Sequence, residues 1–152
     1  MLYLVQHGKS LSPEIDPERG LSEEGIAEVE RMARLTGGYG IEVAGISHSG
    51  KKRAQQTADI FAIALEPPQG VSERNGLNPM DDVIPLAREV ADLRNHMFVG
   101  HLPFMERLTS YLITGSPDRP VCRFQNGGIV CLENDPHTQV WVIKWALVPN
   151  MI

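Results

Sequence analysis

Short apolar runs alternate with longer amphipathic segments along this chain, and no other feature of the sequence restricts the fold as strongly. The run Leu2–Val5 is apolar throughout and is soon followed by a glycine, which is typical of a strand buried in a parallel sheet. Similar runs cover 43–48 and 96–99, and the segments between them carry apolar residues at helical spacing. This alternation predicts an α/β fold, a three-layer α/β/α sandwich around a mostly parallel central sheet.

Start and stop signals predict four helices. Ser22 is an N-cap in front of Glu23 and Glu24, whose charges suit the positive first turn, and Gly37-Gly38 ends this helix. The other predicted helices cover Lys51–Leu65, Met80–Leu93, which Pro85 breaks or precedes, and Pro103–Ile113. Prolines and a glycine make 12–20 a loop, and 71–79 is predicted to be irregular.

Two β-rich runs lie near the end of the chain. Ile129–Leu132 and Val140–Trp145 flank a predicted turn at Asn134-Asp135-Pro136. The two runs form a hairpin, or one of them joins the main sheet beside the first strand. The pattern is compatible with both arrangements.

Length and charge restrict the class of protein. The 152 residues fit one domain covering 1–152, and 14 Lys+Arg against 19 Asp+Glu give a net charge of −5, which argues against a nucleic-acid partner. No run approaches the roughly 20 apolar residues of a membrane span, and the first apolar run is too short for a signal peptide. We expect a soluble, cytoplasmic monomer with no membrane partner, in which Cys122 and Cys131 are reduced core residues.

Polar and positively charged residues follow three of the predicted strands. His7 comes after the first strand, the basic start of a helix at Lys51–Arg53 after the second, and His101 after the third. In open α/β sheets, ligands bind at the carboxyl ends of the strands, and helix N-termini and arginines bind phosphate. Each of these residues alone is ordinary for a protein surface. Their convergence at one edge predicts an anion site.

Four ordered stretches contain these residues: His7-Gly8, Leu21-Ser22-Glu23-Glu24-Gly25, Ser49-Gly50-Lys51-Lys52-Arg53-Ala54-Gln55-Gln56-Thr57-Ala58 and Val99-Gly100-His101-Leu102-Pro103. They resemble the Arg-His-Gly, Leu-Thr-x-x-Gly, Ser-Pro-x-x-Arg-Ala-x-Gln-Thr-Ala and Gly-His-x-Pro patterns of the histidine phosphatase (phosphoglycerate mutase-like) superfamily. In its short length, the chain is most similar to the SixA-type phosphohistidine phosphatase branch of this superfamily. The resemblance implies a phosphoglycerate mutase-like fold and a hydrolase that needs no metal and no cofactor.

The resemblance also implies roles for particular residues. His7 is the nucleophile that carries a phosphohistidine intermediate, while Arg53 and His101 bind the transferred phosphoryl group. Gln6 and Ser10 are further candidates for phosphate contacts.

Two positions depart from the family patterns. Gln6 stands where the family has arginine, so a neutral amide replaces a charge, and Gly50 replaces a proline. Three lysines are candidates to restore the charge: Lys9, Lys51 and Lys52. The candidates for a general acid are Glu73, Asp81 and Asp82.

The predicted function is removal of a phosphoryl group from a phosphohistidine-bearing protein, such as a phosphotransfer domain. Imidazole has a conjugate-acid pKa near 6.5, so it leaves phosphorus far more easily than an alkoxide does, and a site without a strong acid suits it. A short chain also has little material for a lid over a small substrate. The alternatives are a catalytically impaired phosphate- or phosphohistidine-binding relative, in which the loss at Gln6 is decisive, and a small-molecule phosphomonoesterase.

Overall fold

The computed structural model describes residues 1–151, which form a central sheet with helices on both faces. The strands are β1 (Leu2–Gln6), β2 (Gly45–His48), β3 (Val71–Glu73), β4 (His96–Gly100), β5 (Ile129–Asn134) and β6 (Trp141–Leu147). The helices are α1 (Glu23–Gly38), α2 (Lys52–Leu65), α3 (Ile84–Glu89) and α4 (Phe104–Thr114), and a 3-10 turn covers Val90–Asp92. The α/β class and the mostly parallel sheet are as predicted.

All six strands belong to one sheet with the order β3-β2-β4-β1-β5-β6. The first four strands in this order are parallel to one another, whereas β5 is antiparallel to both β1 and β6. Both arrangements considered for the last two strands therefore occur together. They form a hairpin, and β5 also pairs with β1 in the main sheet.

Side chains that alternate along β1 divide the core into two clusters. Tyr3 and Val5 pack on the face covered by α1 and α2, where Phe61 is fully buried. Leu2 and Leu4 pack on the opposite face with residues of α3 and α4. A parallel strand that is buried on both faces needs apolar side chains at every position, which is why the sequence of β1 lacks polar alternation.

The segment 71–93 differs from its prediction in two ways. The stretch predicted to be irregular contains β3, a three-residue edge strand whose Ser72 and Glu73 are exposed, so no apolar run marks it. The helix predicted over Met80–Leu93 is shorter, because α3 begins only at Ile84. Pro85 lies at its start, where the missing N–H costs no hydrogen bond, and the backbone before a proline resists helix formation.

The two cysteines are free thiols, Cys131 buried and Cys122 half-buried. Within residues 1–151, no helix is both long enough and apolar enough to cross a membrane.

Candidate active site

The carboxyl ends of the parallel strands bring three of the predicted site residues together. His7 follows β1 and His101 follows β4, and their ring centroids lie 4.9 Å apart with planes inclined at 54°. Arg53, in the first turn of α2, places its Nε 3.3 Å from His7 Nε2. The strands β2, β4 and β1 lie side by side in the sheet. Arg53 and His101, which are 46 and 94 positions after His7 in the chain, therefore meet it at one edge.

The His7 ring is held in a single tautomer. Its Nδ1 lies 2.7 Å from the Gly8 carbonyl oxygen, which can only accept, so Nδ1 carries the proton. The other nitrogen, Nε2, is unprotonated, and its one lone pair accepts from Arg53 Nε at 3.3 Å. Burial lowers the pKa of His7 to about 4, and the charges of Arg53 and Arg19 also lower it, against the opposing effect of the Gly8 hydrogen bond. His7 is therefore neutral near pH 7.

Backbone contacts from several elements fix the position of His7. Its N–H donates to the Gly100 carbonyl at 3.0 Å, and its own carbonyl accepts from Asn126 Nδ2 at 2.9 Å. The next N–H, that of Gly8, donates to Thr57 Oγ1 at 3.0 Å. Neither Thr57 nor Asn126 is among the predicted positioning residues, although Thr57 lies inside the third motif.

The second motif packs directly against the first. Ser22 caps α1 as predicted, since its Oγ accepts from Gly25 N at 3.0 Å, and Ser22 N donates to the Lys9 carbonyl at 2.9 Å. A Cβ on Gly25 would collide with that same carbonyl. A Cβ on Gly8 would lie 2.6 Å from Val29 Cγ2. Both glycines are required because α1 runs this close to the strand-end loop.

His101 is buried and has one nitrogen without a protein partner. Its Nε2 lies 2.6 Å from Ser49 Oγ, whereas Nδ1 has no hydrogen-bond partner in the part of the chain described. Burial lowers the pKa of His101 to about 3, and the electrostatic effects of His7 and of the cation Arg53 lower it further. When the Ser49 hydroxyl donates to Nε2, Nδ1 carries the proton and is left without an acceptor within residues 1–151. Ser49 is a residue that the motif match contained but did not assign.

The two other candidate phosphate contacts, Gln6 and Ser10, form few hydrogen bonds with their side chains. Gln6 is half-buried, and its Oε1 is buried without a partner. Ser10 forms a one-residue antiparallel bridge with Leu21, and among residues 1–151 no hydrogen bond joins its hydroxyl to another group.

Two of the three lysines considered as replacement charges are held in ion pairs. Lys9 Nζ lies 2.6 Å from Glu24 Oε1, and Lys52 Nζ lies 3.0 Å from Asp16 Oδ2. Lys51 is exposed, and its charge is one of those that lower the pKa of the second histidine.

Arg19 is a positive charge that no motif contains. Its charge is a minor cause of the lowered pKa values of His7, Arg53 and His101. Asp16 organises the loop that carries it, accepting from Gly20 N at 2.9 Å and from Lys52 Nζ at 3.0 Å. The available signal was weak: one arginine in a loop that directly follows the first motif.

The three candidate acids differ in their surroundings. Asp81 and Asp82 each accept a hydrogen bond from a backbone N–H of their own loop, at 2.8 and 3.1 Å. Glu73 instead lies against the loop that carries Ser49, because a Cβ on Gly50 would be 2.5 Å from Glu73 Oε1. Glycine at position 50 therefore makes room for the Glu73 carboxylate.

Over the described range 1–151, no group of three or more His, Cys, Asp and Glu side chains is placed to hold a metal ion.

Comparison with solved structures gives a consistent fold. The protein histidine phosphatase SixA complexed with tungstate superposes with a TM-score of 0.84 at 22% identity, over 97% of this chain and 96% of that one. A mycobacterial glucosyl-3-phosphoglycerate phosphatase with VO3 gives 0.72 at 14% identity, over 95% and 97%. The phosphoserine phosphatase of Entamoeba histolytica with 3-phosphoglyceric acid gives 0.72 at 15% identity, over 95% of each chain.

By sequence alone, no protein-family model and no curated protein matches the chain. The structural neighbours are SixA phosphohistidine phosphatases and other members of the histidine phosphatase superfamily. Matching nearly the whole length of these phosphatases, the chain has their phosphoglycerate mutase-like α/β fold.

Proposed function

We propose that this protein is a phosphatase that removes the phosphoryl group from a histidine of another protein, through a covalent phosphohistidine on His7. The observation that carries the proposal is the His7 ring itself. Its Nδ1–H is bound to the Gly8 carbonyl, and its Nε2 lone pair faces the Arg53 guanidinium. A neutral imidazole held in this tautomer is a ready nucleophile for phosphorus.

The first step forms one bond to phosphorus and breaks another. His7 Nε2 donates its electron pair to phosphorus, and the bond from phosphorus to the substrate imidazole breaks. The departing imidazole takes that electron pair and a proton from solvent. In the second step a water oxygen attacks phosphorus, the bond from phosphorus to His7 Nε2 breaks, and its electron pair returns to Nε2. The proton that the water loses goes to solvent and balances the one taken up in the first step. The products are orthophosphate and the original enzyme.

The surrounding donors match the charge of the phosphoryl group. Arg53 supplies a planar guanidinium, His101 supplies a ring whose centroid lies 4.9 Å from that of His7, and Arg19 supplies an exposed cation from its loop. Placed donors of this kind stabilise the charge that spreads over the three phosphoryl oxygens in the transition state. Arg19 is therefore our candidate for the charge that Gln6 lacks.

The substrate class rests on leaving-group chemistry and on the neighbours. SixA is a protein histidine phosphatase, and it is the structure with the highest TM-score among those compared above. Of the acids considered, only Glu73 lies against a loop of the site, and it is exposed. Imidazole needs little help to leave, whereas an alkoxide would need a well-placed acid. We infer a single domain acting on a phosphotransfer-type protein.

The test uses a phosphotransfer domain carrying phosphohistidine as substrate. We expect wild-type protein to release phosphate from it and His7→Ala to be inactive, with the folded state of the variant checked by its thermal unfolding. Equal rates for the two proteins would refute the nucleophile.

A second measurement separates catalysis from binding. Mass spectrometry under native conditions should detect a phosphorylated form of His7 during turnover. Binding of phosphate without release from any phosphohistidine or phosphomonoester substrate would identify the protein as a non-catalytic binding module. Release from phosphomonoesters alone would identify a small-molecule phosphatase.

A further inference from the structure

An open cleft of about 380 Å³ adjoins the proposed active site on the β5 side. It is bounded by Gln6, the residue before the nucleophile, and by Leu102, the residue after His101. Asn126, which holds the His7 carbonyl, forms another wall. A group bound in this cleft would lie beside a phosphoryl group on His7.

Most side-chain hydrogen-bond donors in the cleft already have an acceptor. Lys9 Nζ donates to Glu24, and the side-chain amide donors of Gln125 and Asn126 bind backbone carbonyls at 2.9 Å each. Gln6 Nε2 is the exception, and Gln6 is a candidate to donate to the phosphoryl group.

Two acceptors are left unused in the same cleft. Gln6 Oε1 and Glu28 Oε2 are both buried and have no hydrogen-bond partner among the described residues. A buried acceptor without a donor destabilises the structure, so each of these oxygens favours a ligand that brings an N–H group.

Glu28 Oε2 has no cation from residues 1–151 paired with it. Lys9 Nζ lies 3.6 Å from the other oxygen, Glu28 Oε1, and is closer to Glu24 Oε1, at 2.6 Å. Arg31, the other cation at this wall, donates to the Pro149 carbonyl. The Glu28 side chain is only 14% exposed, and an anion held there is stabilised by a cation that reaches its free oxygen.

The cleft wall is also held in place by the end of the described chain. Arg31 donates to the Pro149 carbonyl at 2.8 Å, and Gln125 and Asn150 exchange two hydrogen bonds at 2.9 and 3.2 Å. Asn150 Nδ2 also donates to Glu28 Oε1 at 3.3 Å. This arrangement fixes the Glu28 carboxylate with Oε1 engaged and Oε2 free, so little ordering is needed when a ligand binds.

We propose that this cleft binds a lysine or arginine side chain that neighbours the phosphohistidine of the substrate protein. Gln6 Oε1 and Glu28 Oε2 accept hydrogen bonds from its ammonium or guanidinium group. This inference rests on the proposed function and adds a rule for substrate choice: a basic residue near the phosphohistidine is favoured.

The test uses phosphohistidine peptides in which one position, one or two residues before or after the histidine, is lysine, norleucine or glutamate. Norleucine keeps the aliphatic stem and removes the charge. We expect wild-type protein to show kcat/KM about tenfold higher for lysine than for norleucine at one of these positions, the ratio that one hydrogen bond to a charged group provides. Glutamate at that position should be disfavoured.

Two variants locate the effect. Glu28→Gln should abolish most of the lysine preference, while the matched control Glu24→Gln, which removes an exposed partner of the same Lys9 outside the cleft, should keep it. No lysine preference at any position, or one that survives Glu28→Gln, would overturn the cleft proposal and leave the phosphatase proposal intact.

If the protein hydrolyses none of the peptides, this result would count against the phosphatase proposal but not against the cleft proposal. The cleft is then judged by calorimetry with His7→Ala, which cannot turn the peptides over. Tighter binding of the lysine peptide than of the norleucine peptide supports the cleft, and equal binding refutes it.

Discussion

His7 uses its two ring nitrogens for different purposes. Nδ1 carries the proton and donates it to the Gly8 carbonyl, so Nε2 is the unprotonated nitrogen and has the lone pair of the ring. The same ring is kept neutral by its burial, so the lone pair is present at every pH above about 4. The tautomer and the low pKa are two results of one placement.

This placement can be observed directly by NMR. The imidazole of His7 should show the Nδ1–H tautomer and titrate with a pKa of about 4. In denaturant the same ring should return to a pKa near 6.5, because both the burial and the nearby charges are lost. An Nε2–H tautomer in the native protein would contradict the assignment of the nucleophile.

Arg19 is expected to matter for turnover although it lies outside every motif. Arg19→Gln removes a cation that acts on both histidines, and kcat/KM should fall by about 10²–10³, as for the loss of one transition-state donor. Arg34→Gln, an exposed arginine at the far end of α1, is the control and should change little. A similar small effect of both variants would show that Arg19 does not reach the phosphoryl group.

Gln6→Arg tests the departure from the family pattern. A guanidinium at this position adds charge where the family has it, so turnover of a generic phosphomonoester should rise. An unchanged rate would mean that Arg19 already supplies this charge. In either case the measurement is kcat and KM for p-nitrophenyl phosphate, with wild-type protein as reference.

The elements around the site are joined by single side chains. Thr57 of α2 receives the Gly8 N–H and donates to the Arg53 carbonyl at 2.7 Å, so one hydroxyl connects the nucleophile loop with the helix that carries the arginine. The loop 12–20 is joined to the same helix through Lys52 and Asp16. Helix α2 therefore sets the relative positions of three parts of the site.

Thr57→Val should show this connection. The valine has the same shape and lacks the hydroxyl, so the buried Gly8 N–H loses its acceptor, which costs about 1–3 kcal/mol of unfolding free energy. The rate with phosphohistidine should fall as well. Thr36→Val is a matched control, since Thr36 is equally buried and only donates to a carbonyl of its own helix. Equal losses in the two variants would refute the connection.

Burial keeps most histidines of the folded protein in the neutral form. Burial lowers the pKa of four of the five in the chain: His7, His48, His96 and His101. In the unfolded chain the same rings titrate near 6.5. Below that pH the unfolded state binds more protons than the native state, so stability falls as pH falls.

The pH dependence of stability follows with a definite sign. For His7 and His101 the window runs from about 6.5 down to about 4 and about 3, and the unfolding free energy should decrease throughout it. A variant with His7→Gln and His101→Asn should lose part of this slope. The measurement is urea unfolding at several pH values, and an identical slope for the variant and wild type would contradict the assigned pKa directions.

Much of the fold follows from local pattern. The continuous apolar run of β1, the short apolar stretches in and around β2 and β4 and the capped start of α1 are visible in the sequence, because burial on both faces and helix capping require particular residues at adjacent positions. The strand β3 and the true start of α3 are not, since an exposed edge strand lacks an apolar run and Pro85 is compatible with more than one helix boundary.

The site shows the same division. His7, Arg53 and His101 are predicted because each lies in a motif at a strand end, and parallel strands bring their ends together. The sequence alone thus determines the α/β class, the parallel strands β1, β2 and β4 and the residue types that follow their carboxyl ends. Only the tertiary structure identifies Arg19, Ser49, Thr57 and the cleft at Gln6 and Glu28. These contacts join loops and helices that are distant in the chain, and no periodicity or spacing encodes which of their side chains will meet once the core is packed.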